Sequence, residues 1–288
     1  HSPRLLKLKR QRRKTFFVII FSISALFIFL IAGLAYLSRL EQLRITEIRI
    51  NGNKVVEREM IAEAVQSEIS GNYLWLFSKR NIFIYPKRGM KARLQEEFKR
   101  FKSVNLSIVE NQALKVEVAE REALYTWCGT DLVVGLPSGN PTTKKEVCYF
   151  LDENGYIFSE APYISGEVYF KFYGPIDGSD SSPIGSYVLK GNFHRLIEFK
   201  NTLHNMGLKA VALHTKDNQE LRMYLSKGGA SSLGPEIIFS IDADFENLAE
   251  NLETALTTPP LLSNFKNKYS SLEYIDLRFD NKVYYRFR

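Results

Sequence analysis

Hydrophobic and polar positions follow different rules in different parts of this chain. From Thr15 to Leu37 the sequence reads TFFVIIFSISALFIFLIAGLAYL, twenty-three positions without a charged side chain. At 1.5 Å per residue such a helix is about 35 Å long, enough to cross a hydrocarbon core of about 30 Å with some tilt. A secretory signal peptide would have a shorter apolar run and a small-residue cleavage site, whereas this run exits into Tyr36, Leu37 and Arg39. A buried core helix would carry one polar face, and Ser22, Ser24 and Tyr36 do not make one. The pattern predicts a membrane anchor over residues 15–37.

Beyond the anchor the periodicity changes. Ile45 to Ile50 (ITEIRI) alternates and ends in Asn51-Gly52-Asn53, which predicts a strand and a turn. Glu57 to Ser70 reads as a helix with Met60, Ile61, Ala64, Val65, Glu68 and Ile69 along one stripe, stopped at Gly71-Asn72. The aromatic run Tyr73 to Phe77 (YLWLF) reads as packed loop, not as a ligand cage. A second helix follows Pro86, with Met90, Leu94 and Phe98 at i, i+4 and i+8. Val104, Leu106 and Ile108 share one face of a strand. Leu114, Val116 and Val118 share a face of the next, after a turn at Glu110-Asn111-Gln112. The order is strand, helix, helix, strand, strand.

From Leu124 the pattern predicts short strands at Leu124 to Trp127, Tyr149 to Leu151, Tyr156 to Phe158, Val168 to Phe172 and Tyr187 to Leu189. Polar turns separate them, notably Asp152 to Gly155 and Gly178 to Gly185. A helix is expected from Asn192 to Met206, then strands at Ala210 to Leu213, Leu221 to Leu225 and Ile237 to Ile241. A helix capped by Asp242 or Asp244 follows and stops at Pro259-Pro260, and a short helix spans Leu261 to Tyr269. In the last stretch Ile275, Leu277, Phe279, Val283, Tyr285 and Phe287 alternate with Asp276, Arg278, Asp280, Lys282, Arg286 and Arg288. That unbroken parity predicts one long strand, or two joined at Asp280-Asn281. A terminal strand of this kind often lies at a sheet edge, where it can accept an added strand.

Charge supplies orientation. The first fourteen residues hold seven basic side chains and no acid, which by the positive-inside rule puts the N-terminus in the cytoplasm. The whole chain has 39 basic and 32 acidic residues, so without those seven the remainder balances at 32 each. The basic sequence pI therefore belongs to the tail and does not argue for nucleic-acid binding. A second basic run, Lys79 to Lys102, has nine basic residues against Glu96 and Glu97. It reads either as a solvated helix face or as a surface for lipid headgroups or a partner. About 250 residues follow the anchor, a natural length for two domains. The chain starts at His1 rather than Met, which leaves room for a preceding segment.

The residues that could carry catalysis or a metal do not stand in the spacings that chemistry needs. His194, His204 and His214 recur at ten-residue intervals, which is not the i, i+4 spacing of a zinc helix. Asp242-Ala243-Asp244 lacks the glycine of a calcium loop, and the stretch Lys227 to Gly234 (KGGASSLG) lacks the Gly-Lys-Ser/Thr of a phosphate loop. No cofactor, metal, nucleic acid or small-molecule substrate is expected, and no enzymatic activity. The two cysteines, Cys128 and Cys148, can form a disulfide in an oxidising compartment; the alternative is two free, partly buried thiols.

Four strings in this order behind an N-in anchor resemble the FtsQ/DivIB family of bacterial cell-division proteins: ITEIRINGN (Ile45 to Asn53), VEVAEREALYTW (Val116 to Trp127), YFLDENGYIF (Tyr149 to Phe158) and YIDLRFDNKVYYR (Tyr274 to Arg286). The resemblance implies an α+β fold: a cytoplasmic tail (1–14), a single transmembrane helix (15–37), a POTRA domain of β-α-α-β-β order (45–123) and a mixed β-sheet domain with flanking helices (124–288). It implies a non-enzymatic divisome scaffold at the division septum of the bacterial inner membrane. Its partners would be single-span coiled-coil proteins of the FtsL and FtsB/DivIC type, other divisome proteins and membrane lipid. In that family a partner adds a strand beside the terminal strand. Carried onto matching positions, the contact residues are Ile275, Asp276, Leu277, Arg278, Phe279, Asp280, Val283, Tyr284, Tyr285 and Arg286. Lys282 departs from the glycine common there, which leaves the turn geometry open, and Asn281 can itself adopt positive φ. The segment 128–148 and the loop Gly228 to Gly234 look like local elaborations. The alternative reading is a membrane-anchored POTRA protein of another envelope process, such as secretion or export. Protease added outside sealed cells should digest residues 38–288; survival of the bulk of the chain would reverse this topology.

Overall fold

The uncharged run lies within one helix, α1 (Pro3–Ser38), of a computed structural model that describes residues 3–132, 147–164, 166–178, 182–216, 219–227 and 233–288. The part of α1 from Arg12 to Ser38 is long and apolar enough to cross a membrane. The chain is α+β, with this one apolar helix and a large mixed sheet. Its contacts divide it into two units, His1–Glu120 and Arg121–Arg288.

In the first unit, β1 (Glu47–Asn51), α2 (Arg58–Ile69), the two-residue strands β2 (Asn72–Tyr73) and β3 (Phe77–Ser78), α3 (Lys87–Glu97), β4 (Phe101–Val109) and β5 (Ala113–Glu120) follow α1. The sheet order is β1-β5-β4. β1 runs parallel to β5 with Ile50 opposite Val116, and β4 runs antiparallel to β5 with Val104 opposite Val118. Ile61, Ala64, Val65 and Ile69 of α2 and Met90 and Leu94 of α3 pack with Ile50, Leu106, Leu114 and Val116 in one core. Met60 of the predicted stripe is exposed instead.

Two local devices hold β1 to its neighbours. After β1 the chain turns through Gly52 at φ 88°, where an added Cβ would lie 2.0 Å from the Val118 carbonyl oxygen. Beyond the turn, the Glu120 carboxylate accepts N–H bonds from Lys54, Val55 and Val56 at 2.7–3.1 Å. Sequence-distant segments are thereby clasped without a regular ladder.

The YLWLF run corrects the expectation of a packed loop. It forms a small β2–β3 hairpin in which Leu74 and Trp75 take positive φ (48° and 61°) and are exposed. The left-handed turn throws these side chains away from a core that the two helices and the sheet already fill.

The second unit contains β6 (Tyr125–Trp127), β7 (Cys148–Leu151), β8 (Ile157–Ala161), β9 (Phe170–Tyr173), α4 (Phe193–Asn205), β10 (Ala210–Lys216), β11 (Glu220–Ser226), β12 (Leu233–Ser240), α5 (Phe245–Thr257), α6 (Leu261–Lys268), β13 (Leu272–Phe279) and β14 (Lys282–Phe287). These strands make one sheet of order β14-β13-β12-β11-β10-β9-β6-β7-β8. One parity of each strand, including Leu213, Met223, Phe239 and Ile275, packs with Phe199 and Leu203 of α4 and Leu248 and Leu252 of α5. Asp244 rather than Asp242 caps α5, accepting from the Glu246 N–H at 3.1 Å.

Tyr187 to Leu189 is not a strand. Tyr187 makes only isolated bridges to Tyr156 and Asp177, and the run is broken where Leu189 turns left-handed at φ 48°. Cys128 and Cys148 are disulfide-bonded. By chain entropy, a loop of this length adds about 3 kcal/mol. Most of the cysteine-flanked segment, residues 228–232 of the loop Gly228 to Gly234 and part of the turn Gly178 to Gly185 lie outside the described residues. Replacing Gly52 by Ala should lower the stability of the first unit by roughly 2–4 kcal/mol, because a backbone oxygen occupies the Cβ position. The shift in urea midpoint of the detergent-solubilised chain measures it.

Candidate functional site

The terminal residues form a hairpin, not one strand. β13 pairs antiparallel with β14, with Ile275 opposite Tyr285 and Asp276 opposite Tyr284. The turn's positive φ falls at Asp280 (44°), one residue before Asn281, and Asn251 of α5 donates to the Asp280 carbonyl at 3.2 Å. Asp and Asn tolerate this region better than other non-glycine residues, so the turn closes without glycine at Lys282.

β14 is the outermost strand, and among the described residues no strand pairs with its outer side. The opposite edge, β8, is partly closed. Its Ile157 donates its N–H to the Ser186 carbonyl at 2.9 Å and accepts the Gly185 N–H at 2.8 Å. An edge strand with unpaired backbone groups is a template for one more strand.

The predicted contact residues separate by parity. Ile275 and Leu277 are buried in the core, and Val283 and Tyr285 pack against it half-buried. Their side chains hold the hairpin in place and leave only backbone for any contact. Tyr284 and Arg286 point to the opposite face and are exposed, as are Phe279 and Asp280. Phe279 and Tyr284, 50% and 48% exposed, meet edge to face with ring centroids 5.1 Å apart. Together they make an apolar step beside the open edge.

Asp276 and Arg278 belong to an internal ion network. Arg278 donates to Asp276 through Nε at 2.9 Å and Nη2 at 2.6 Å, and through Nη1 to Glu220 at 2.6 Å. Arg222 continues the network to Glu220 at 2.7 Å and to Glu236 at 3.2 Å. The hydrogen bonds it donates to Asp276 hold the Arg278 guanidinium even more firmly charged than usual. Burial, then the Glu236 charge, pushes the Tyr224 hydroxyl up to about 12. At the far end of the hairpin Glu273 takes Arg286 at 3.1 Å and Arg288 at 3.2 Å. Sequence reasoning missed Glu220, Arg222 and Glu236 here. Only the strand register brings them beside β13, and their signal was the polar parity of β11 and β12.

The three histidines do not converge on one site. His194 and His204 lie on α4 and His214 on β10, and His194 Nε2 lies 3.2 Å from Asn154 Oδ1. Among the described residues, no group of three or more His, Cys, Asp or Glu is placed to hold a metal ion. No family model and no curated protein matches this chain. Arg278→Ala should cost about 2 kcal/mol, because buried Asp276 loses its main partner. Tyr284→Ala should cost about 1 kcal/mol or less. Urea midpoints of the two variants measure the difference between a structural cation and an available surface ring.

Proposed function

We propose that this protein is a membrane-anchored, non-enzymatic scaffold of bacterial cell division, of the FtsQ/DivIB type, that captures a partner by strand addition at β14. In this reading α1 spans the inner membrane with its basic N-terminus in the cytoplasm, and the β1-α2-α3-β4-β5 module acts as a POTRA domain. The partner is a single-span coiled-coil protein of the FtsL or FtsB/DivIC type, and the site of action is the septum.

The observation that carries the reading is the open β14 edge. Its backbone offers a ladder, Phe279 and Tyr284 offer an apolar contact beside it, and Arg286 offers charge. Main-chain bonds in such a complex supply affinity, and the alternate side chains supply specificity. The four strings that resemble the family supply the partner class.

A second reading, an anchored module of secretion or export, has one observation in its favour. β4, nine residues long, is also an outer strand of its sheet. Association with an export machine, and loss of it on changing β4, would favour that alternative.

The test uses proline at each position from Val283 to Arg286 in the intact protein, followed by pull-down from its own membrane. N–H groups alternate in direction along a strand, so proline at one parity removes an outward donor and spares the β13–β14 ladder. Variants of that parity should stay folded, lose the single-span partners and fail to localise at midcell. Full partner capture by every folded variant would sink strand addition at this edge.

A further inference from the structure

The C-terminal end of α1 is gripped by residues 75–81. The Ser38 hydroxyl accepts the Ser78 N–H at 3.3 Å, and the Ser38 carbonyl accepts Asn81 Nδ2 at 3.2 Å. One residue further on, Arg39 Nη2 donates to the Trp75 carbonyl at 2.9 Å. Ala35 and Ser38, one helical turn apart, are buried. The apolar run of α1 ends at Leu37, so these bonds are made where the helix leaves its uncharged stretch.

The tethers hold two apolar projections. One is the hairpin tip, with Leu74 84% and Trp75 89% exposed and Leu76 beside them. The other is the turn after Asn81, where Phe83 is 77% exposed and Ile84 is also exposed. That turn is tied down: Asn81 Oδ1 accepts the Phe83 N–H at 3.0 Å, and the Asn81 carbonyl accepts the Tyr85 N–H at 2.9 Å. Single exposed apolar residues are ordinary on a protein surface, but five large ones in two short turns pinned to one helix end are not. Cations stand in the same stretch. Lys79 Nζ lies 5.6 Å from the Tyr73 ring centroid, and Lys87 and Arg88 are exposed at the start of α3. Tryptophan with bulky apolar neighbours and flanking Lys and Arg is the composition favoured at a membrane–water interface, where rings sit at headgroup level and cations meet phosphate.

We propose that the Tyr73–Phe77 hairpin and the Phe83–Ile84 turn form a lipid-binding foot. It enters the headgroup region of the leaflet at which α1 ends and fixes the first unit against the membrane surface. The inference rests on α1 being a span. Its occupant is the bilayer interface: Arg39 lies just beyond the span and its guanidinium holds the Trp75 carbonyl, which keeps the tip within one side chain's length of the exit point. A protein covering the same patch is the competing outcome.

The full chain is reconstituted into vesicles of phosphatidylcholine and phosphatidylglycerol. It has two tryptophans, Trp75 and the buried Trp127, so the difference between the wild type and Trp75→Phe isolates the Trp75 emission. Trp75 is exposed in a turn, so the variant leaves the core untouched. The expected result is a blue-shifted Trp75 component that acrylamide barely reaches and that lipids brominated near the headgroup strongly quench. A Trp75 component emitting as in water, open to acrylamide and insensitive to bromine, overturns the foot and leaves the patch to a protein. A separate probe, Leu30→Trp in the Trp75→Phe background, tests the span. Its quenching by bromine deep in the acyl chain keeps the span whichever way Trp75 behaves. If that probe is not quenched, the span fails and the foot fails with it.

Discussion

The second unit depends on a buried carboxylate and the guanidinium that neutralises it. Asp152 is fully buried in the turn between β7 and β8, where an unpaired charge would cost several kcal/mol. Both its oxygens are engaged. Oδ1 accepts the N–H groups of Asn154 and Tyr156 at 2.9 and 3.0 Å, and Oδ2 accepts Arg121 Nη1. The Arg121 guanidinium also lies over the Tyr156 ring, 4.2 Å from its centroid. Arg121 is the first residue of this unit, so the pair ties its entry point to a turn about thirty residues away. That turn in turn seats a helix. Gly155 has φ 75°, and the space its missing Cβ would fill is occupied by the Phe193 ring, 2.5 Å from the ideal position. Phe193 opens α4 and contacts Tyr125 and Phe172 of the sheet. Arg121, Asp152, Gly155 and Phe193 are thus links in one chain of constraint from the first residue of the unit to its core.

Covering the sheet on one face by α4 and α5 leaves the other face to find a different solution. Across β11, β12 and β13 that solution is alternating charge: Glu220, Arg222, Glu236, Asp276 and Arg278 bond one another in place of apolar packing. Across β9 and β10 it is a small cluster of Cys128, Tyr173 and Ala212 with Tyr224 and Leu233 against it. Such a surface registers each strand against the next without a second layer of helices. It also explains why β14 can stand at an edge and remain ordered. Val283, Tyr285 and Phe287 anchor its inner side to the core, while the polar parity is left outside.

Much of this was legible from period alone. The α1 run, the stripes of α2, α3, α4 and α5, and the alternation of β4, β5, β11 and β12 follow from burying one face of each element. Helix boundaries moved by a residue or two, while β8 and β10 run three residues past the expected end and β12 begins four residues earlier. What escaped was set by partners distant in sequence. Glu120 clasps residues 54–56 from more than sixty positions away, and the ion network appears only once register is known. YLWLF was misread because its composition is that of a core, while its fate was decided by two left-handed residues at a hairpin tip. At the terminal hairpin the alternation was readable, but two features were not. Asp276 and Arg278 are engaged with each other, and Asp280 rather than Asn281 bears the positive φ.

Strand β9 is one of the short strands of the large sheet. It has four residues and pairs in parallel with β6 on one side and β10 on the other, through three residue pairs each. Everything on the β8 side of it is an antiparallel ribbon, and everything on the β14 side is a longer ribbon carrying both long helices. The pairing is therefore parallel on both sides of β9, while a single hydrophobic core runs beneath both ribbons. Load on the outer strand therefore reaches the disulfide-bearing ribbon by two routes, those few parallel bonds and the Phe193 ring that α4 seats against Gly155 and Tyr125.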